Sequence, residues 1–143
     1  MSSHRFYKEG NLEGEYKRWH ENGQLREHGF YKDDKVDGEF KTWHGNGQLE
    51  SHRFYKDDKL EGEYKEWYDN GQLSYHGFHK EDKLEGEYKC WYDNGQLSYH
   101  GFYKDDILIT EEVKTLVVDI NNITKEEELL LNIKYGYFPL VRQ

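Results

Sequence analysis

The chain predicts an all-β fold, a single antiparallel sheet assembled as an elongated stack of β-hairpins, and three observations carry that expectation. A 24-residue period runs from His4 to about Leu108, with Trp19, Trp43, Trp67 and Trp91 and with Gly14, Gly38, Gly62 and Gly86 in unbroken register. Asn-Gly pairs recur on the same period at 22–23, 46–47, 70–71 and 94–95. Aromatic residues make up 17% of the chain, and each such side chain buries roughly 150–250 Å² when packed. A fixed period of this length marks stacked units that pack mainly on their neighbours.

Within one unit, Gly62 to Tyr68 and Leu73 to Lys80 are rich in β-forming aromatics and read as two strands. Asn70-Gly71 between them supplies two residues comfortable at positive φ, as a tight hairpin turn requires. The connector over 57–62, Asp-Asp-Lys-Leu-Glu-Gly, is polar, short and closed by glycine, so the next hairpin follows in a meander. Four units and a leading strand give about nine strands, roughly 40 Å of sheet at ~4.8 Å per strand. Alternation sends Tyr64, Glu66 and Tyr68 to one face and Lys65 and Trp67 to the other, unless a bulge intervenes. On the return strand it groups Leu73, Tyr75 and Gly77 against Ser74, His76 and Phe78, so both faces carry ladders of like residues.

The period ends where Thr110 and Thr115 replace the repeat glycine and tryptophan. Residues 113–120 read as an apolar strand. Thr124 and Glu127 have capping-box spacing ahead of a helix over 125–135 closed by Gly136. The domain organisation is therefore a repeat array over 1–109, four full units and a partial fifth, followed by a strand-plus-helix cap over 110–143. The alternative for this tail is a docking helix for another protein.

The net charge of −9 repels phosphate backbones and anionic lipid, which disfavours nucleic acid and membrane adsorption. No apolar run approaches the roughly 20 residues of a membrane span. The opening MSSHRFYKEG lacks the apolar segment of a secretion signal. A cytoplasmic protein is expected, in the host cytoplasm if the source is viral. Cys90 is the one cysteine, so no internal disulfide forms. Its equivalents, Arg18, Thr42 and Glu66, share no chemistry, which predicts an exposed position.

The repeated polar residues are the candidates for chemistry. His28, His52, His76 and His100 follow His4 in register, but equivalents two strands apart lie roughly 9–10 Å from one another. Zinc takes its donors at about 2 Å from one ion, so hydrogen-bonded structural histidines are expected, with a pH response as the alternative. The acidic pairs 33–34, 57–58, 81–82 and 105–106 lack the alternating oxygen donors of a calcium loop, and they lack the asymmetry of a catalytic carboxylate pair. They read as solvated turns. Ser74 and Ser98 form no single triad. The expectation is a non-enzymatic protein with no cofactor and no metal.

The recurring pattern G-E-Y-K-x-W-[HY]-x-N-G-Q-L, with a following H-x-F-x-K and a D-D-K-L-E-G connector, resembles the MORN repeat superfamily, and most closely its variant of about two dozen residues. The variant is similar to repeats in bacterial antitoxin-like components and in repeat proteins of large DNA viruses. The resemblance covers His4 to Leu108 and implies a sheet of hairpins that serves as a scaffold or binding surface, often self-associating, with lipid binding proposed for some members. A protein-interaction scaffold is accordingly expected, with Tyr16, Trp19, Phe40, Trp43, Tyr64, Trp67, Tyr88 and Trp91 as candidate binding residues. The leading strand at Arg5, Phe6, Tyr7 and Lys8 is the candidate self-association edge of a homodimer. Two rival readings are an antitoxin-like inhibitor of one partner enzyme, and an aromatic-cage binder of a small cation or lipid headgroup like the choline-binding repeats of cell-wall proteins.

Overall fold

The computed structural model describes residues 2–110, and every element in them is β. The strands are β1 (Ser3–Lys8), β2 (Asn11–Trp19), β3 (Leu25–Lys32), β4 (Lys35–Val36), β5 (Gly38–Trp43), β6 (Leu49–Lys56), β7 (Lys59–Trp67), β8 (Leu73–Lys80), β9 (Lys83–Leu84), β10 (Gly86–Trp91), β11 (Leu97–Lys104) and β12 (Ile107–Leu108). They form one open, antiparallel, 12-stranded sheet in the order β1-β2-β3-β5-β6-β7-β8-β10-β11-β12, with β4 beside β3 and β9 beside β8. The sheet falls within the contact unit Met1–Leu108. The expected strand at 113–120 and helix at 125–135 lie outside the described residues.

Twelve strands replace the expected nine because the connectors are themselves paired. Lys35 and Val36 register against Lys32 and Tyr31, leaving only Asp33-Asp34 as the loop. A two-residue hairpin loop of type I′ needs both residues at positive φ, and Asp33 and Asp34 stand at φ 50° and 67°. The Asn-Gly corner differs from expectation. His20 and Gln24 close a three-residue loop, with His20 N–H bonded to the Gln24 carbonyl at 2.8 Å and Gly23 N–H to the His20 carbonyl at 3.0 Å. A loop of this length requires one left-handed residue, and Gly23 supplies it at φ 85°. Asn22 instead accepts Gln24 N–H on its Oδ1 at 3.0 Å. The two positive-φ residues expected of the Asn-Gly pair therefore occur at the acidic pair.

The repeat glycine has a separate task. Arg5 pairs with Tyr16 but Tyr7 pairs with Leu12, so Phe6 faces the three residues Glu13, Gly14 and Glu15. This bulge recurs between β6 and β7, and it bends each outgoing strand just after its first two pairs. Its glycine adopts φ between 91° and 105° in all four units, a conformation that a Cβ disfavours.

The bend brings successive connector turns together. Asp34 N–H donates to the Leu12 carbonyl at 3.1 Å, and Asp34 Oδ1 accepts Leu12 N–H at 2.7 Å. Asp58 grips Val36 in the same way, Asp82 grips Leu60 and Asp106 grips Leu84. The Asn-Gly corners are joined as well. His20 Nε2 donates to the Trp43 carbonyl at 2.8 Å, and Asn22 Nδ2 donates to the Gly45 carbonyl at 2.7 Å. The connector carboxylates are thus structural bonds rather than merely solvated charges. Burial alone is a weak support here, since Tyr16, 7% exposed, is the one buried apolar side chain among the described residues.

Substituting Gly62→Ala should cost about 1–3 kcal/mol, because alanine must adopt φ 105°. Gly45→Ala, at an ordinary φ in open space, should stay within about 0.5 kcal/mol. Asp58→Ala should cost about 0.5–1.5 kcal/mol through the lost bond to Val36 N–H. Urea unfolding of the variants side by side checks all of these.

Candidate functional site

Strand register sorts the side chains into two faces. Tyr64 pairs with Gly77 and with Arg53, Glu66 with Tyr75 and with Ser51, so these six share one face. Lys65 pairs with His76 and with His52, and Glu63 with Phe78, so these occupy the other. The expected grouping of Tyr64 with Glu66, and of Tyr75 with Gly77, is what the ladder has. Past Glu66 a one-residue bulge pairs Trp67 with Leu73 and leaves Ser74 out of register.

The tyrosine face is filled in alternative ways. Where the return strand reads Ser-His-Arg, Arg53 lies over the Tyr64 ring at 5.0 Å, donates from Nη2 to Ser51 Oγ at 2.9 Å, and donates from Nη1 to the Tyr55 hydroxyl at 3.3 Å. Arg5 lies over Tyr16 at 5.7 Å in the same way. A glycine replaces the arginine in the other units, and a neighbouring aromatic lies across it. A Cβ at Gly77 would stand 2.5 Å from the Tyr75 hydroxyl, one at Gly101 2.8 Å from the Tyr99 hydroxyl, and one at Gly29 2.2 Å from Phe40. The rings then meet edge to face, Tyr75 on Tyr88 at 5.1 Å and Tyr88 on Tyr99 at 5.5 Å. Burial raises the pKa of Tyr64 and Tyr75, so these hydroxyls stay neutral near pH 7. His79 stands in place of Tyr31, Tyr55 and Tyr103; burial holds its pKa down, and its Nδ1 is buried without a hydrogen-bond partner among the described residues.

The position of Cys90 corrects an expectation. It faces Tyr75 and Tyr99 across the ladder and is partly buried rather than exposed. Its equivalents are engaged with cross-strand or same-strand partners. Arg18 donates to Glu27 at 3.4 Å, Thr42 Oγ1 and Ser51 Oγ share a hydrogen bond at 2.7 Å, and Glu66 accepts from the Tyr64 hydroxyl. The four residues differ in chemistry, yet all of them are half-buried in the same column of the ladder.

The opposite face repeats a charged cluster. Glu15 accepts from Lys17 at 2.7 Å and from His28 Nε2 at 3.0 Å, and His28 packs on Phe30 at 5.3 Å between ring centroids. Glu39, Glu63 and Glu87 bind their lysine and histidine in the same arrangement. The lysine hydrogen bond comes first in holding all four carboxyls below their ordinary pKa; partial burial opposes it, and the histidine adds to it. Each histidine in this row is bonded within its own unit, as expected of structural histidines. Among the described residues no three His, Cys, Asp or Glu converge as a metal site would require.

The candidate binding residues do not form one set. Tyr16, Phe40, Tyr64 and Tyr88 line the tyrosine face, where their ring contacts are with Tyr31, Tyr55, Tyr75, His79, Tyr99 and Tyr103. Trp19, Trp43, Trp67 and Trp91 sit half-buried at the strand ends beside the Asn-Gly corners. Three of them join units through the main chain, since the carbonyls of Trp43, Trp67 and Trp91 accept from His20, His44 and the Tyr68 hydroxyl. The alternation of His and Tyr at that position preserves a donor of similar reach. Arg5, Phe6, Tyr7 and Lys8 lie on β1, an exposed edge strand in which Phe6 is 47% and Tyr7 60% exposed. Sequence reading passed over Ser51, which is 1% exposed. Comparing Ser51-His52-Arg53 with Tyr75-His76-Gly77 is the signal that finds it.

Residues 12–33, 36–57, 60–81 and 84–105 each match the family model described as the MORN repeat variant, together more than half of the chain. Each match opens at the residue gripped by the next connector aspartate and closes on the first residue of a connector turn. Among curated proteins, none is significantly similar to the chain.

The lowered carboxyl pKa values set a sign for pH dependence. A carboxyl whose folded pKa lies below its unfolded value, here about 4.5, stabilises the fold above that value and loses the contribution as pH falls through the folded pKa. His79, whose folded pKa is lowered from 6.5, already takes stability away as pH falls below that value, and the carboxyls add a further decline in melting temperature below about pH 4.5. Glu63→Gln should shallow the decline, which thermal melts across the range measure.

Proposed function

Because the chain belongs to the MORN repeat variant family, whose repeats generally act as protein-interaction scaffolds, we propose that it is a non-enzymatic scaffold whose first partner is a second copy of itself, joined along β1. The observation that carries the reading is the state of that edge. Trp19 N–H bonds the Ser2 carbonyl at 3.1 Å, which phases the ladder so that Ser3 and Arg5 turn their N–H and C=O groups away from β2. An open strand with outward donors and acceptors, flanked by exposed Phe6 and Tyr7, is a template for pairing. A two-fold axis through β1 would join two sheets antiparallel and cover the edge of both. The tyrosine and histidine faces would remain available to further protein partners.

The aromatic-cage alternative asks for ring faces open to a small cation. Arg5 and Arg53 already cover two of the rings, and the tyrosines over Gly77 and Gly101 fill the equivalent space elsewhere.

Light scattering coupled to size-exclusion chromatography should give twice the chain mass at high concentration. Ser3→Pro removes an outward N–H without touching the pairing to β2, and should return the protein to a monomer with unchanged circular dichroism. A strict monomer at high concentration, or a Ser3→Pro variant that stays dimeric, would reject pairing through β1.

A further inference from the structure

The four Asn-Gly corners carry the same dipeptide in unequal surroundings. Two of them are also identical in sequence well beyond it, since residues 67–78 and 91–102 read the same at all twelve positions. Any difference in their behaviour therefore comes from structure.

At the inner corner, Asn70 is held at both ends of its amide. Its Oδ1 accepts Gln72 N–H at 2.9 Å, and its Nδ2 donates to the Asp93 carbonyl of the next unit at 2.8 Å. Tyr68 adds a second tie to that unit through its hydroxyl on the Trp91 carbonyl at 2.8 Å. Asn22 and Asn46 are tied in the same way, with His20 and His44 in place of Tyr68. At the last corner, Asn94 accepts Gln96 N–H on its Oδ1 at 2.9 Å, its one bond among the described residues. Among the described residues its Nδ2 has no acceptor, and the Tyr92 side chain, 57% exposed, has no carbonyl to reach. Residues 92–100 are exposed throughout, whereas 73–76 of the preceding unit are half-buried.

We propose that Asn94 is a site of spontaneous deamidation and isomerisation that reacts ahead of Asn22, Asn46 and Asn70. The main-chain nitrogen of Gly95, losing its proton to a base in solvent, attacks Cγ of Asn94. The new N–Cγ bond closes a succinimide ring while the Cγ–Nδ2 bond breaks, and Nδ2 leaves as ammonia after taking up a proton from solvent. Water then opens the ring at Cγ to give aspartate, or at the main-chain carbonyl carbon of residue 94 to give isoaspartate. One water is consumed and one ammonia released, with no change of oxidation state.

Glycine suits this attack because it places no Cβ beside the nucleophile. The attack needs a near-attack geometry that the folded corner withholds. Gly95 N–H must leave the Tyr92 carbonyl, to which it is bonded at 2.9 Å, and the Asn94 amide must rotate away from Gln96. The inner corners must break two further bonds to the next unit before the same motion. Among the described residues the last corner has neither, and it is exposed throughout, so it opens more often.

The test follows purified full-length protein at mildly alkaline pH by tryptic mapping. Cleavage after Lys65, Lys80, Lys89 and Lys104 places Asn70 on peptide 66–80 and Asn94 on peptide 90–104, which differ at their first and fourteenth residues and are separable by mass. Asn94 should convert roughly fivefold or more faster than Asn70, with both aspartate and isoaspartate products, and in denaturant the two rates should coincide. Tyr68→Phe should raise the Asn70 rate toward that of Asn94. Equal rates in the folded protein, a faster inner corner, or a Tyr68→Phe variant that leaves Asn70 unchanged would each overturn the proposal.

Discussion

The stacking of one hairpin on the next depends on a carboxylate that closes each connector turn onto the opening residue of the unit before it. The grip of Asp58 on Val36 is a two-point contact, one bond through the main chain and one through the side chain. It satisfies the N–H of Val36, which by the alternation of an antiparallel ladder faces away from Tyr31, its partner across the turn. The glycine, the bulge and the aspartate are thus one device. Glycine permits the bend, the bend aims the turn, and aspartate fixes it there. A single sheet with almost no fully buried side chain has to draw its order from such directed bonds together with half-buried aromatic rows.

The tyrosine face solves a second packing problem in a coupled way. Space above the column of Arg53 and Gly77 is taken either by a guanidinium from the position itself or by a tyrosine reaching over from two residues earlier. At Arg53 the Ser51 hydroxyl takes the guanidinium, and at Gly77 and Gly101 the missing side chain leaves room for the tyrosine. Glu27 with Gly29 is a third solution, in which Tyr16 and Arg18 bond the carboxylate and Phe40 covers the glycine. Variation that looks free in one column is therefore constrained by its neighbour.

Much of this was legible in the residues. Period, hairpin content, antiparallel order and the assignment of Tyr64 and Lys65 to opposite faces all follow from alternation and local φ preferences, which act over a few residues. The kind of turn was read wrongly because Asn-Gly and Asp-Asp both accept positive φ. Loop length decides between them, and that depends on Lys32 pairing with Lys35, a fact of the ladder rather than of either residue. The role of the connector aspartates was hidden because their partners lie 22 residues away, in a different unit. For the candidate site, alternation already separates Tyr64 from Trp67; the bonds from His20, His44 and Tyr68 to the tryptophan carbonyls were not legible, because donor and acceptor lie 23 residues apart in different units.

The side-chain bonds that join units span no more than 23 residues, from one copy to the next. Among the described residues, no bond of this kind ties the first unit to the last. A gain or loss of 24 residues, as unequal recombination between near-identical gene segments produces, would insert or excise a whole hairpin and leave every junction of the same type. The copy number of such a molecule is therefore an adjustable quantity, and the span of its binding surface can change in evolution by duplication without a new fold having to be found.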